Sequence, residues 1–244
     1  MLVQADKRPY IVINGKSSRF VQGLLITNLP PITVPKMRTK AETVNGRDGD
    51  IITELGYSAY DKEVKIALTY DYNVDDVISF FKTSGRVVFG NEPDKYYRFA
   101  MYDKIDFERL LRFKKAKVNF HVQPFKYSDL EAAENYSFDE NNGVLHVINQ
   151  GNYFSRPTIT LDGAGPVVMY INDVKILEIN FGAAGCVMVI DSEKMNATSE
   201  DGETFLNRRV VGNYDNIRLR SGDNKISFTG AVTAVKIANR SRWL

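Results

Sequence analysis

Turn signals recur at short intervals through the second half of this chain, and they leave room for little except short strands. Asp162-Gly163, Asn172-Asp173, Asp201-Gly202, Ser221-Gly222-Asp223-Asn224 and Thr229-Gly230 punctuate β-rich runs. These runs are Val144–Asn149, Thr158–Leu161, Val167–Ile171, Lys175–Ile179, Val187–Asp191, Asn216–Arg220, Lys225–Phe228 and Val232–Ile237. Many short strands divided by frequent turns specify a β-sandwich. Alternation puts Ile226 and Phe228 on one face of their strand, and does the same for Val235 and Ile237. Gly163-Ala164-Gly165 is a lone Gly-x-Gly, lacking the third glycine and the helix of a dinucleotide fingerprint. It reads as a turn between strands.

The first half is less regular. Tyr10–Ile13 is a β-rich run, and Asn14-Gly15 after it is a strong hairpin signal. Arg19-Phe20 and Leu24–Ile26 continue as strands. The segment from Asn28 to Gly46 carries Pro30, Pro31 and Pro35. Prolines argue against a central strand, and a compact domain rarely keeps so long an irregular segment without a use for it. An arm packing on a neighbouring subunit is such a use. Val64, Ile66 and Leu68 alternate with polar or small residues, as in a half-buried strand. A helix is expected at about 74–83. Asn73 caps it, Asp75 and Asp76 complement its dipole, Val74, Val77, Ile78 and Phe81 form its apolar face, and Gly85 stops it. Strands are expected over Val87–Phe89, Tyr96–Met101 and Val118–Val122. Ile105–Phe113 fits a helix by Phe107, Leu110 and Leu111, but its context reads as a strand.

Charge divides the chain. The sequence carries +6 up to Ser128 and −4 beyond it, and Ser128–Gly143 is polar and turn-rich. Together these place a boundary between an N-terminal domain, residues 1–130, and a C-terminal sandwich, residues 131–244. The fold class expected is mainly β with one short helix, α+β in its first domain. The overall charge of only +2 gives no reason to expect a dedicated nucleic-acid binder. Lys114-Lys115-Ala116-Lys117 is read as a lysine-guarded strand edge rather than a nucleic-acid contact. Met1–Lys7 lacks the pattern of a secretion signal, and no run approaches the ~18 apolar residues of a membrane span. The expectation is a soluble chain made in a cytoplasm.

Catalytic and ligand-binding patterns fail one by one. Cys186, the single cysteine, lies in an apolar run and reads as a small buried hydrophobe. His121 and His146 lack the nearby Cys or His partners of a zinc site. There is no nucleophile elbow and no P-loop. Asp71-Tyr72-Asn73-Val74-Asp75 begins like a calcium loop, but Asp76 stands where glycine is needed and Lys82 where glutamate is. No enzyme activity, cofactor or metal is therefore expected.

Several stretches, in order and spacing, carry a resemblance. Asn45-Gly46-Arg47-Asp48-Gly49 follows the proline-bearing arm. Asn91-Glu92-Pro93-Asp94-Lys95-Tyr96-Tyr97 follows the helix, and Lys115 to Tyr127 includes Gln123-Pro124-Phe125-Lys126. Later come Val147-Ile148-Asn149-Gln150-Gly151, Arg156-Pro157-Thr158-Ile159-Thr160, Leu219 to Ile226, and a close at Arg240-Ser241-Arg242-Trp243. Over nearly its whole length the chain resembles the distal tail protein family of long non-contractile-tailed bacteriophages (siphoviruses). The resemblance implies a virion protein of the tail tip, assembled in the host cytoplasm. Its first domain would form a hexameric ring with a central channel for DNA in transit. Its second would be a galectin-like or carbohydrate-module-like sandwich. Partners implied are the major tail protein, the tail-associated tip protein and, at the side, receptor-binding proteins, with no membrane insertion. Candidate interface or ring-shaping residues are Pro30, Pro31 and Pro35 in the arm and Arg47, Asp48 and Gly49 in the turn. The alternative is a carbohydrate-binding module attaching to cell-wall glycans, with Tyr153, Tyr170 and Tyr214 as stacking platforms.

Overall fold

The structure, a computed structural model, describes residues 8–101, 107–128, 133–137 and 143–244. The segment Met1–Lys7, the turn at Asp139–Asn142 and the start of the ambiguous 105–113 stretch lie outside the described residues. The chain falls into two compact units, residues 1–126 with 244, and residues 127–243.

The first unit is built on β1 (Ile11–Ile13), β2 (Lys16–Ser17), β3 (Leu24–Asn28), β4 (Met37–Thr43), β5 (Asp50–Tyr57), β6 (Tyr60–Leu68), β7 (Gly85–Phe89), β8 (Tyr96–Ala100) and β9 (Lys115–Tyr127). Its main sheet runs β2-β1-β7-β8-β9-β6-β3, while β4 and β5 form a two-stranded sheet of their own. The Asn14-Gly15 turn has both residues at positive φ, 48° and 85°, as a tight hairpin of this hand requires. Inward positions alternate as the sequence implies: Val64, Ile66 and Leu68 are buried, with Val118, Phe120 and Val122 in the same core. Phe120 is the hub of the aromatic packing, with ring centroids 5.2 Å from Phe99 and 5.8 Å from Phe89.

Helix α1 (Val74–Phe81) starts at its expected cap. The Asn73 side-chain oxygen accepts from the amides of Asp75 and Asp76 at 3.0 and 3.3 Å. Its buried residues are Val77, Phe80 and Phe81. Gly85 does not stop this helix: Lys82 is the C-cap, and Gly85 opens β7 at φ +135°. A Cβ there would meet the Asn14 side-chain oxygen at 2.3 Å. That side chain ties the β1–β2 turn to β7, accepting from the Arg86 amide at 2.9 Å and donating to the Ser84 carbonyl at 3.0 Å.

Other expectations are corrected. Phe107–Phe113 is a second helix, α2, not a strand. Its i, i+3, i+4 apolar spacing prevails, and Leu110 is fully buried. Ser18–Phe20 is a 3-10 turn, capped by the Ser17 hydroxyl, which accepts from the Arg19 amide at 3.3 Å, while the buried Ser18 hydroxyl accepts from the Ile11 amide at 3.1 Å. The lysines of β9 do not guard an edge, since β9 lies between β8 and β6. Lys117 pairs with Glu63 at 2.9 Å, and Lys114 donates to the Tyr72 hydroxyl at 2.9 Å. The segment after Pro35 is not irregular: it forms the β4–β5 hairpin.

The second unit comprises β10 (Glu134–Ser137), β11 (Val144–Asn149), β12 (Thr158–Ile171), β13 (Val174–Asn180), β14 (Cys186–Asp191), β15 (Asn196–Ser199), β16 (Val210–Gly212) and β17 (Gly222–Ala238). Two pairs of expected strands are each one long bent strand. The first half of β12 lies between β14 and the second half of β17. Its second half lies between β13 and the first half of β17. Two leaves result, β15-β14-β12-β17-β10 and β16-β13-β12-β17-β11, sharing β12 and β17. Their inward residues meet in one core, including Ile159, Leu161, Met169, Ile226, Val235 and Ile237. The expected turns at Gly163–Gly165 and Gly230 are the corners of these bent strands. The register shifts at them, and Gly165 and Gly230 have φ of +66° and +107°. Asn216–Arg220 is not a strand. Asn213 caps a 3-10 turn at Tyr214–Asn216, and beyond it Leu219 makes an isolated bridge to Ser155.

Candidate functional site

The β4–β5 hairpin is the element least explained by its own unit. Every residue from Arg38 to Leu55 is exposed. Cross-strand pairs run from Thr43↔Asp50 back to Met37↔Tyr57, with a register shift at Arg38. At the tip, Thr43 donates to the Asp50 carboxylate at 2.8 Å, the Arg47 amide bonds the Val44 carbonyl at 3.1 Å, and Gly46 and Gly49 take φ of +82° and +75°. Arg47, Asp48 and Gly49 thus sit in the exposed turn at the end of the arm. Ile52 and Leu55 are 66% and 53% exposed although isoleucine and leucine ordinarily seek a core. An isolated two-stranded ribbon is marginally stable in water, and among the described residues no further strand pairs with either of its outer edges.

The proline segment is the arm's root. Pro30 and Pro35 are buried while Pro31 is exposed. Three side chains hold its carbonyls. Asn91 donates to the Pro30 oxygen at 3.0 Å, Lys62 to the Pro31 oxygen at 2.9 Å, and Tyr60 to the Thr33 oxygen at 3.4 Å. The Ser58 amide closes the base on the Lys36 carbonyl at 2.9 Å, and Tyr57 packs edge-to-face on Phe125 at 5.9 Å. Lys62 is only 3% exposed. Its ammonium lies 4.9 Å from the Tyr97 ring centroid, 5.5 Å from Tyr60 and 5.6 Å from Phe89. Burial pulls its pKa down, opposed by the Glu92 carboxylate. Glu92 in turn accepts from Lys126 at 2.8 Å and from the Tyr97 hydroxyl at 2.8 Å. Burial, then this bond to Glu92, pushes the Tyr97 pKa far above its ordinary range.

The sequence expectations name the prolines and the turn but miss Lys62, Tyr60 and Asn91. The signal for Lys62 was present: the inward series Leu68, Ile66, Val64 continues to position 62.

Elsewhere the chemistry is ordinary. His121 pairs with Asp61 at 2.7 Å and His146 with Asp223 at 2.9 Å. The Cys186 thiol is half-buried, 3.6 Å from the Phe181 carbonyl. Among the described residues, no group of three or more His, Cys, Asp or Glu is placed to hold a metal ion. Tyr153 stacks on Phe154 at 4.6 Å, and the Arg242 guanidinium lies over both rings, at 5.2 and 4.3 Å. Tyr214 packs against the core of its unit with its hydroxyl buried. A groove of ≈ 470 Å³ is lined by Ile171, Asn172, Val174, Ile176, Asn216 and Arg218, none of them aromatic.

No family model matches the sequence, and neither does any curated protein. Among solved structures, the SPP1 Dit protein matches with a TM-score of 0.65 over 98% of this chain and all of that one, at 18% identity. The chain has the Dit fold. The SPP1 protein is described as a paradigm of the hub adsorption apparatus in phages infecting Gram-positive hosts. The phage P2 baseplate, in its activated conformation with calcium, matches at a TM-score of 0.42 and 11% identity, covering 94% of this chain and 97% of that one. The likeness to SPP1 Dit extends across both units.

Proposed function

We propose that this chain is a non-enzymatic structural subunit of a phage tail tip, a hub that closes into a ring and joins the tail tube to the adsorption apparatus. The observation that carries the reading is the exposed β4–β5 arm on a chain with the Dit fold. A ribbon with open edges and exposed Ile52 and Leu55 gains stability when a neighbour covers it. The arm differs from the surface it would meet, so the contact is heterologous. Repeated around an axis it closes into a ring, here taken as a hexamer with a central channel for DNA. The division into an N-terminal ring domain, residues 1–130, and an outer sandwich, residues 131–244, belongs to the same proposal. So do Pro30, Pro31 and Pro35 as shapers of the arm, and Arg47, Asp48 and Gly49 as its contact tip. The partners are the major tail protein, the tail-associated tip protein and receptor-binding proteins, in a virion tail assembled in the host cytoplasm.

The glycan-binding alternative has less support. The faces of Tyr153 and Phe154 are engaged by each other and by guanidinium groups, and the sandwich groove has no aromatic platform.

The test is light scattering with electron microscopy of the purified chain, alone and with its tail partners. A ring with a central hole is expected, and a variant with residues 38–55 replaced by a two-residue turn remains monomeric. A strict monomer under all these conditions overturns the reading.

A further inference from the structure

We propose that Lys62 is a latch that fixes where the arm leaves the body, so that the arm is held ready before any neighbour binds. Lys62 occupies an inward position of β6, in register with Val64 and Ile66, where an apolar residue would fit the core. Its ammonium is buried, yet its hydrogen bond goes to a backbone carbonyl of the arm's root, Pro31, 2.9 Å away. The rings of Tyr60, Tyr97 and Phe89 surround the charge and turn their negative faces toward it, and Glu92 adds a compensating carboxylate.

A buried cation is tolerated only while its partners stay in place. Swinging the root away would strip Lys62 of its carbonyl while leaving it inside the core. The root therefore has a preferred position enforced by an energetic cost that a leucine or methionine at 62 would not impose. Pro30 and Pro35 bracket the latch as buried anchors, and Pro31 restricts its own φ. Asn91, on the loop before β8, holds the neighbouring carbonyl of Pro30 from an exposed position. Rigidifying a binding element beforehand lowers the ordering cost of association. This consequence for assembly rests on the ring reading above; the latch itself does not.

Limited trypsin digestion of the purified chain, with cut sites identified by mass spectrometry, tests the latch. Lys36 and Arg38 lie where the root meets the hairpin, and Lys65 and Lys117 report on β6 and β9 of the body. In Lys62→Met, cleavage after Lys36 and Arg38 should accelerate about tenfold, with cleavage after Lys65 and Lys117 unchanged. Equal rates at Lys36 and Arg38 in the two proteins, or acceleration at all four sites together, would overturn the proposal. Where Lys62→Met fails to fold, Lys62→Gln decides: its shorter, neutral side chain keeps a polar group at 62 but cannot reach the Pro31 carbonyl as the ammonium does, so root cleavage should speed about threefold, and no change there overturns the latch. Light scattering reads assembly separately. A freed root with rings as abundant as in the wild type removes the assembly role. An intact latch in a chain that never forms rings removes the ring reading alone.

Discussion

Asp191 shows how one side chain gathers several elements. At the end of β14, its carboxylate accepts from the Glu193 and Lys194 amides at 3.0 Å each and meets Arg240 in a fork of two 3.0 Å bonds. Burial by itself would raise its pKa, but the Arg240 and backbone bonds outweigh it and hold the group below the ordinary carboxylate range. A carboxyl whose folded pKa is depressed contributes stability above its unfolded pKa. That contribution is lost as pH falls through the folded value. The window therefore lies below about pH 4, the unfolded carboxyl range. Asp191→Asn should cost about 2–3 kcal/mol at neutral pH, because Arg240 and the two amides lose their charged acceptor. Urea denaturation at pH 7 and again between pH 4 and 2 checks both parts. The variant should lose less stability than the wild type across the acid range.

Among the elements, the bent strands and the arm make opposite demands. Strand β17 turns its corner at Gly230, where φ is +107° and a Cβ would stand 2.3 Å from the Pro166 carbonyl oxygen. Backbone oxygen cannot step aside as a flexible side chain does, so Gly230→Ala should destabilise by about 2–4 kcal/mol, read by thermal or chemical unfolding. A cost below about 0.5 kcal/mol would mean that the corner relaxes freely. The arm has the reverse profile. Ile52 is exposed, so Ile52→Lys should change stability by no more than about 0.5 kcal/mol. The same substitution should weaken self-association at least tenfold in sedimentation equilibrium. Loss of stability without loss of association would assign Ile52 to the fold instead of the interface.

For the whole molecule, the two units have separate hydrophobic clusters, one around Phe120 and one around Leu161 and Met169. A unit with its own closed core can fold alone. A fragment of residues 127–243 should therefore give a cooperative thermal transition and the far-ultraviolet signature of a β protein. A broad, non-cooperative melt would show that its core is incomplete without the first unit.

Local chemistry made several elements legible from the residues: the Asn73 cap, the Asn14-Gly15 hairpin, the Asn172-Asp173 turn at φ of 51° and 65°, and the inward series Val64, Ile66 and Leu68. Each depends on neighbours in sequence, so composition and period suffice. The bent strands were not legible, because a glycine that ends a strand and a glycine that bends one look alike. Only pairing across β12 and β17 separates them. Leu110 favoured helix, and only its place in the packed core decided the matter. The arm could be read as an extension from its prolines, but not as a ribbon, since β4 and β5 are defined by each other and not by a core. Lys62 carries the same lesson furthest. Sequence alternation placed a charge on the inward face, and only the tertiary structure supplied the carbonyl and the aromatic rings that let it stay there.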